Sequence, residues 1–367
     1  MKGYLKMRKY YLDNMKWSII LLVLVFHTIS IFSSCKAPMS FNAPGIPVLD
    51  VIGYIIYPWF MPCMFVAAGT SAKFALKKRD ERTFIKERAK KLLIPFVAYL
   101  VLVGPFASAL SFKVENLDKV FSKLPSFVVA LIRIVSGMGP AWFLIQLFLI
   151  SLVFLLIRKL DKYQKLLRLG SKANITVLLL LYFPVLLSAQ FLYVSLTFRN
   201  ILYLFMFLLG YFVFSQDRAI ETLKIYALAL FFAGLGAVQT YFCWGKVYQT
   251  VVNDWLVMLY TWVMILAVFA CFARYFDRHT NFTVAMSGLS FGIYLFHYVP
   301  MIYIAYFLDT KLSLPYLLNY IITFAGALAA AVLLTVIVKK TPVLNFLFGL
   351  KPKKKVLPDG SDKAQVD

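Results

Sequence analysis

About ten apolar stretches, each close to the ~20 residues a helix needs to cross ~30 Å of hydrocarbon, recur along this chain between short polar loops. They lie at 17–34, 50–72, 92–110, 141–159, 174–192, 200–215, 223–243, 251–273, 288–307 and 316–338. Lipid offers no partner to a backbone N–H or C=O, so segments of this kind must close their hydrogen bonds internally. The expected fold is therefore all-α, a polytopic membrane helix bundle. A composition that is 62% hydrophobic argues against a soluble domain of 367 residues. The stretch 124–137 reads as a re-entrant or interfacial helix, and no internal repeat stands out.

The formal charge of +23 invites a nucleic-acid reading, which the distribution of that charge argues against. With an even number of crossings, both termini and alternate loops share one side, and about four-fifths of the 39 lysines and arginines fall there. This asymmetry is the positive-inside pattern. It predicts cytoplasmic termini in a multi-pass protein of a cell membrane and no nucleic-acid partner. Residues 1–34 imitate a signal peptide ending near Cys35, but the apolar run is too long for one and reads as the first crossing. The cysteines, Cys35, Cys63, Cys243 and Cys271, show no metal-ligand spacing, and Cys35 and Cys243 both fall near outer ends, where they could pair.

Polar groups inside the crossings mark where chemistry is possible. Lys16 and His27 are separated by about three helical turns, so their side chains share a face, and His27 lies about 16 Å further along the axis, near mid-membrane. Ser30 and Ser34 continue that stripe. An ionisable group in hydrocarbon costs several kcal/mol, so the stripe must face protein or water. A second polar face, Ser290, Tyr294 and His297, brings another imidazole to similar depth. Each histidine alone could be a packed imidazole tying two helices; two arriving at one depth point to proton chemistry. Pro58 and Pro62 predict a kink or unwound turn in the second crossing. Nine cations in 73–91 read as a helix lying on anionic headgroups, with Arg88, Lys90 or Lys91 also placed to meet phosphates of a cytoplasmic ligand.

These residues fall into a familiar order. The segment YYLDNMKWSIILLVLVFH resembles the first-helix signature of the type 3 membrane acyltransferase family, with Leu12 and Asp13 preceding Lys16 and His27. That family typically carries Arg where this chain has Lys16. Lysine keeps the charge and loses the planar two-pronged fork. MPCMFVAAGTSAKF (61–74) is similar to a further family segment, retaining Pro62, Phe65 and Gly69, with Ala68 and Thr70 as departures. ERAKKLLIPFVAY (87–99), GPAWFL (139–144), RNILYLFMFLLGYF (199–212) and SFGIYLFHYVP (290–300) continue the resemblance over essentially the whole chain.

The resemblance implies a membrane acyltransferase domain over 1–340, followed by a basic cytoplasmic tail over 341–367 with Lys351, Lys353, Lys354 and Lys355, expected to be without regular structure. It implies transfer of an acyl group, often acetyl, from acyl-CoA as co-substrate to a hydroxylated acceptor such as a glycan, with no permanently bound cofactor and no metal. Histidine suits the base that takes the hydroxyl proton. His27 and His297 are thus the expected catalytic pair, and Lys16, Arg88 and Lys91 the expected donor contacts. Asp13, Ser30, Tyr294, Ser290 and Trp142 are expected around the acceptor. The rival expectation is a proton-coupled transporter or lipid-linked sugar flippase. Membrane-buried Asp or Glu usually carries the proton in such proteins, and no carboxylate falls in the middle of any crossing.

Overall fold

A computed structural model describes residues 9–33, 45–161, 163–195, 197–244, 253–312 and 314–350. Among these residues the backbone is helical apart from loops and one isolated bridge between Tyr193 and Arg199. The chain runs through α1 (Tyr10–Ile31), α2 (Pro47–Leu76), α3 (Glu81–Leu102), α4 (Gly104–Val114), α5 (Ser126–Ser136), α6 (Gly139–Leu160) and α7 (Ile175–Ala189). It continues through α8 (Asn200–Phe214), α9 (Asp217–Ile225), α10 (Ala227–Trp244), α11 (Trp255–Tyr275), α12 (Asn281–Phe296), α13 (Tyr298–Lys311), α14 (Tyr316–Lys340) and α15 (Pro342–Phe348). Short helices at Leu117–Val120 and Lys165–Gly170 lie in the connecting loops.

Five of the described helices, α1, α2, α6, α11 and α14, are long and apolar enough to cross a membrane unbroken. Three bent pairs, α3–α4, α8–α9 and α12–α13, raise that number to as many as eight. The segments expected at 174–192 and 223–243 form α7 and α10, whose described apolar parts are shorter. The stretch expected at 200–215 is α8, which turns by 91° into α9. The fold is thus an all-α polytopic bundle.

Helices α1 and α2 form its centre: α1 packs on α2, α12 and α11, and α2 packs on α8 and α11. The approach of α2 to α8 is backbone against backbone. A Cβ on Gly69 would run into the carbonyl of Phe207, and one on Gly210 into the carbonyl of Val66. Thr70 Oγ1 donates across the same seam to the Gly210 carbonyl at 3.1 Å. Without a hydrophobic drive between helices in lipid, such close approach by small residues is what holds them together.

Of the kink or unwound turn expected at Pro58 and Pro62, the unwound turn does not occur, since α2 is helical through both. Pro62 cannot donate to the Pro58 carbonyl, and Thr261 Oγ1 of α11 approaches that carbonyl at 3.3 Å instead. The neighbouring Ile55 carbonyl accepts from Trp59 Nε1 at 2.8 Å and from Tyr260 OH at 2.7 Å. Side chains of α11 thus brace this part of α2, Thr261 at the carbonyl that Pro62 frees and Tyr260 about one turn earlier at Ile55.

Other expectations also change. The basic stretch 73–91 is not one helix: α2 carries it to Leu76, a turn follows, and α3 restarts at Glu81 and continues into the bundle. The ninth crossing, expected to be continuous, bends by 58° between Phe296 and Tyr298, with His297 at the joint. Pro300 explains the bend, because it lacks the N–H that would bond the Phe296 carbonyl and its ring crowds that carbonyl. The tail is structured at its start, where α15 packs on α3 and α14 and buries Phe348. Its four named lysines, together with Ser34, Cys35 and the side chain of Cys243, lie outside the described residues.

Candidate active site

Two stripes that face each other, one on each central helix, line a path through the bundle. On α1 the stripe is Lys16, Ile20, Val23 and His27; on α2 it runs from Ala75 and Ser71 through Ala68, Met64 and Met61 to Tyr57. Spacings of three and four keep each set on one helix face. Three cavities follow one another along these stripes. The first, about 700 Å³, is an open mouth carrying Lys9, Lys16, Lys77, Lys78 and Arg79, with Asp13 on its rim. The second, about 180 Å³, is a mostly apolar slot that shares Lys16 and Ser71 with the mouth and carries Arg88. The third, about 90 Å³, holds His27 and shares Val23, Met61 and Tyr294 with the slot.

The two imidazoles meet at the end of this path. His27 and His297 have ring centroids 5.4 Å apart, and the Tyr298 ring lies 5.4 Å from His27. His297 is fully buried. Its Nδ1 lies 2.8 Å from the Tyr294 carbonyl and 3.2 Å from that of Ile293. Both neighbours are acceptors, so Nδ1 carries the proton and Nε2 holds the lone pair when the ring is neutral. The bend at His297 sets this orientation, and α1 is tied alongside by Thr28 Oγ1, 3.7 Å from Met301 Sδ. His27 is partly exposed to the third cavity, whereas His297 does not line it.

The remaining walls come from the start of α6 and of α8. Gly139 turns the chain with a φ of 45° against the Tyr298 ring, a conformation that favours glycine. That turn presents the Pro140 carbonyl, which accepts from the Tyr294 hydroxyl, and Trp142, which stacks on Tyr203 at 5.9 Å. On the other side Val194 N donates to the Phe198 carbonyl at 3.1 Å, closing a tight loop that delivers Arg199 to the start of α8. Arg199 is buried to 2% exposure, points Nη2 at Met258 Sδ at 3.3 Å, and lines the same cavity as His27.

The expected site residues divide by position. Lys16 Nζ donates to Ser71 Oγ at 2.6 Å where the mouth meets the slot. Arg88 lines the slot with its guanidinium 5.0 Å from the Phe84 ring, while Lys91 is half exposed and paired with Glu87 at 3.6 Å. Tyr294 borders slot and third cavity together, and Trp142 lines the third. Ser30 and Ser290 line none of these three cavities; their hydroxyls bond the Phe26 carbonyl at 2.8 Å and the Ser287 carbonyl at 3.2 Å. Among the described residues no cluster of His, Cys, Asp or Glu is arranged to hold a metal. Sequence reading did not single out Arg199, although a cation heading an apolar helix on the side poor in positive charge was the available signal.

Fold and site together define a multi-pass membrane protein with a basic mouth joined by a narrow slot to a histidine pair, His297 buried and His27 facing the third cavity. A family model described as an acyltransferase domain, that of the type 3 acyltransferases, matches residues 9–338. The chain belongs to the type 3 acyltransferase family, as the order of motifs from Lys16 and His27 to His297 anticipated, and is a membrane acyltransferase. No curated protein and no solved structure matches it.

Proposed function

We propose that the chain moves an acyl group, acetyl foremost, from cytoplasmic acyl-CoA to a hydroxyl of a carbohydrate, cell-envelope glycan or small molecule, in a bacterial plasma membrane. The acyl-CoA phosphates bind the cations of the mouth, where Lys16 supplies a point charge. The pantetheine arm threads the apolar slot and presents the thioester beside Tyr294. His27 takes the proton of the acceptor hydroxyl as its oxygen bonds the acyl carbon. The carbon–sulfur bond then breaks, and the imidazolium returns the proton to the departing thiolate. His297, held by two backbone carbonyls, positions His27 and the water or substrate beside it.

What carries this reading is the placement of His27 at the end of a path whose other end is basic and whose middle is apolar. The described residues lining slot and third cavity include no carboxylate, which disfavours a carboxylate-based proton relay for transport. The test is purified full-length protein with radiolabelled acetyl-CoA and a panel of hydroxylated acceptors. Transfer of label to an acceptor by folded wild type supports the proposal. Gradient-driven solute uptake in liposomes without CoA turnover would replace it with transport.

A further inference from the structure

The third cavity has a property that acyl transfer alone does not require. Its described lining carries one guanidinium, Arg199, and no carboxylate, and the rest is largely aromatic, with Tyr57, Phe60, Trp142 and Tyr203 around it. Arg199 reaches the cavity from the residue before α8, and Val23, Met61 and Tyr294 join the cavity to the slot. Arg199 does not line the slot, so its guanidinium meets what enters the cavity of His27 rather than what fills the slot. A guanidinium 2% exposed in an aromatic pocket has lost most of its water. In such surroundings a planar, two-pronged donor prefers a carboxylate or phosphate oxygen pair over a neutral hydroxyl. The aromatic walls offer flat apolar surface to the ring that carries such a group.

We propose that the acceptor is anionic: a hydroxylated, ring-bearing molecule whose own carboxylate or phosphate is held by Arg199 while a neighbouring hydroxyl is presented to His27. This rests on the acyl-transfer reading above for the role of the hydroxyl, and on the cavity alone for the anion. The atoms balance as in that reading. The acceptor oxygen gains the acyl carbon, CoA leaves as the thiol, the hydroxyl proton passes through His27 to sulfur, and the anion stays ionised throughout. A charge-assisted bond in a desolvated site is worth about ten- to a hundredfold in binding.

The test uses three probes with full-length protein and radiolabelled acetyl-CoA: methyl glucoside, methyl glucuronide and glucose 6-phosphate. Wild type is expected to favour one or both charged sugars over methyl glucoside about ten- to a hundredfold in kcat/KM, and which of them wins separates carboxylate from phosphate. Arg199→Gln is expected to erase that preference while acetyl-CoA affinity stays unchanged. Arg199→Lys is expected to retain it for phosphate better than for carboxylate. Equal use of neutral and charged sugars by wild type overturns the proposal, as does a preference that survives in Arg199→Gln. A second readout is independent of transfer. Without acetyl-CoA, a charged probe should raise the Tm of wild type and not of Arg199→Gln, even if no acetyl group moves. If neither charged probe raises the wild-type Tm above the effect of methyl glucoside, the anion site is refuted while acyl transfer to other acceptors still stands.

Discussion

Replacing Lys16 by methionine removes the charge at the junction of mouth and slot while keeping a long, flexible side chain. Lys16 Nζ sits 2.6 Å from Ser71 Oγ, and this hydrogen bond holds its head at the boundary of the two cavities. If a phosphate of acyl-CoA lies within ~4 Å of that nitrogen, Coulomb's law at the effective dielectric of a protein surface gives roughly 4 kcal/mol as a ceiling. Measured charge-assisted bonds in proteins run at about 1.5–3 kcal/mol, so Kd for acetyl-CoA should rise about ten- to a hundredfold in Lys16→Met. Lys16→Arg keeps the charge and should stay within a few-fold of wild type. Ser71→Ala removes that hydrogen bond while keeping the ammonium and should fall between the two. Loss of the hydrogen bond to Ser71 should cost the protein about 1 kcal/mol. Titration of each purified variant with acetyl-CoA by calorimetry, at low salt and again at high salt, reads these values. The salt dependence should shrink in Lys16→Met. Unchanged acetyl-CoA affinity in folded Lys16→Met would refute the placement of donor phosphates at the mouth.

Three further perturbations probe the frame around the site. Gly69→Ala or Gly210→Ala forces a Cβ into backbone carbonyls of the facing helix, and the cost should be about 1–3 kcal/mol or more, seen as a fall in Tm by fluorescence-monitored melting; a Tm unchanged within error would mean the α2–α8 seam is looser than described. Thr261→Val removes a hydroxyl that donates to the Val257 carbonyl at 2.8 Å and approaches the Pro58 carbonyl at 3.3 Å, and should cost about 1 kcal/mol in the same assay, with acetyl-CoA binding intact. Ala68→Phe fills the slot from the α2 stripe; it should block transfer from acetyl-CoA while leaving the fold and the anion response of the third cavity in place.

The sequence was most informative where polar residues interrupt apolar ones. The α1 stripe was legible because Lys16 and His27 stand out against leucines and valines, and their spacing alone put them on one face. The facing stripe on α2 was invisible, since Tyr57, Met61, Met64 and Ala68 look like any lipid-facing or packed residues; only the fold distinguishes a wall of a slot from a wall of the core. Pro58 and Pro62 were ambiguous for a related reason, because the side chain that meets the freed Pro58 carbonyl lies about two hundred residues away, on α11. Hydropathy also smoothed over the bend at His297, where Phe296 to Pro300 read as continuous apolar chain. Arg199 could not be interpreted without knowing that its loop folds back over the cavity that holds His27.

The most direct measurement of the central claim is a double-mutant cycle on the histidine pair, read as single-turnover transfer of labelled acetyl to acceptor by wild type, His27→Ala, His297→Ala and the double variant. If the rings act as one unit at the end of the path, His27→Ala should lose about 10²- to 10⁴-fold. His297→Ala should lose less, and the double variant should be no slower than His27→Ala. Transfer within a few-fold of wild type in folded His27→Ala, or losses that simply multiply in the double variant, would contradict the account.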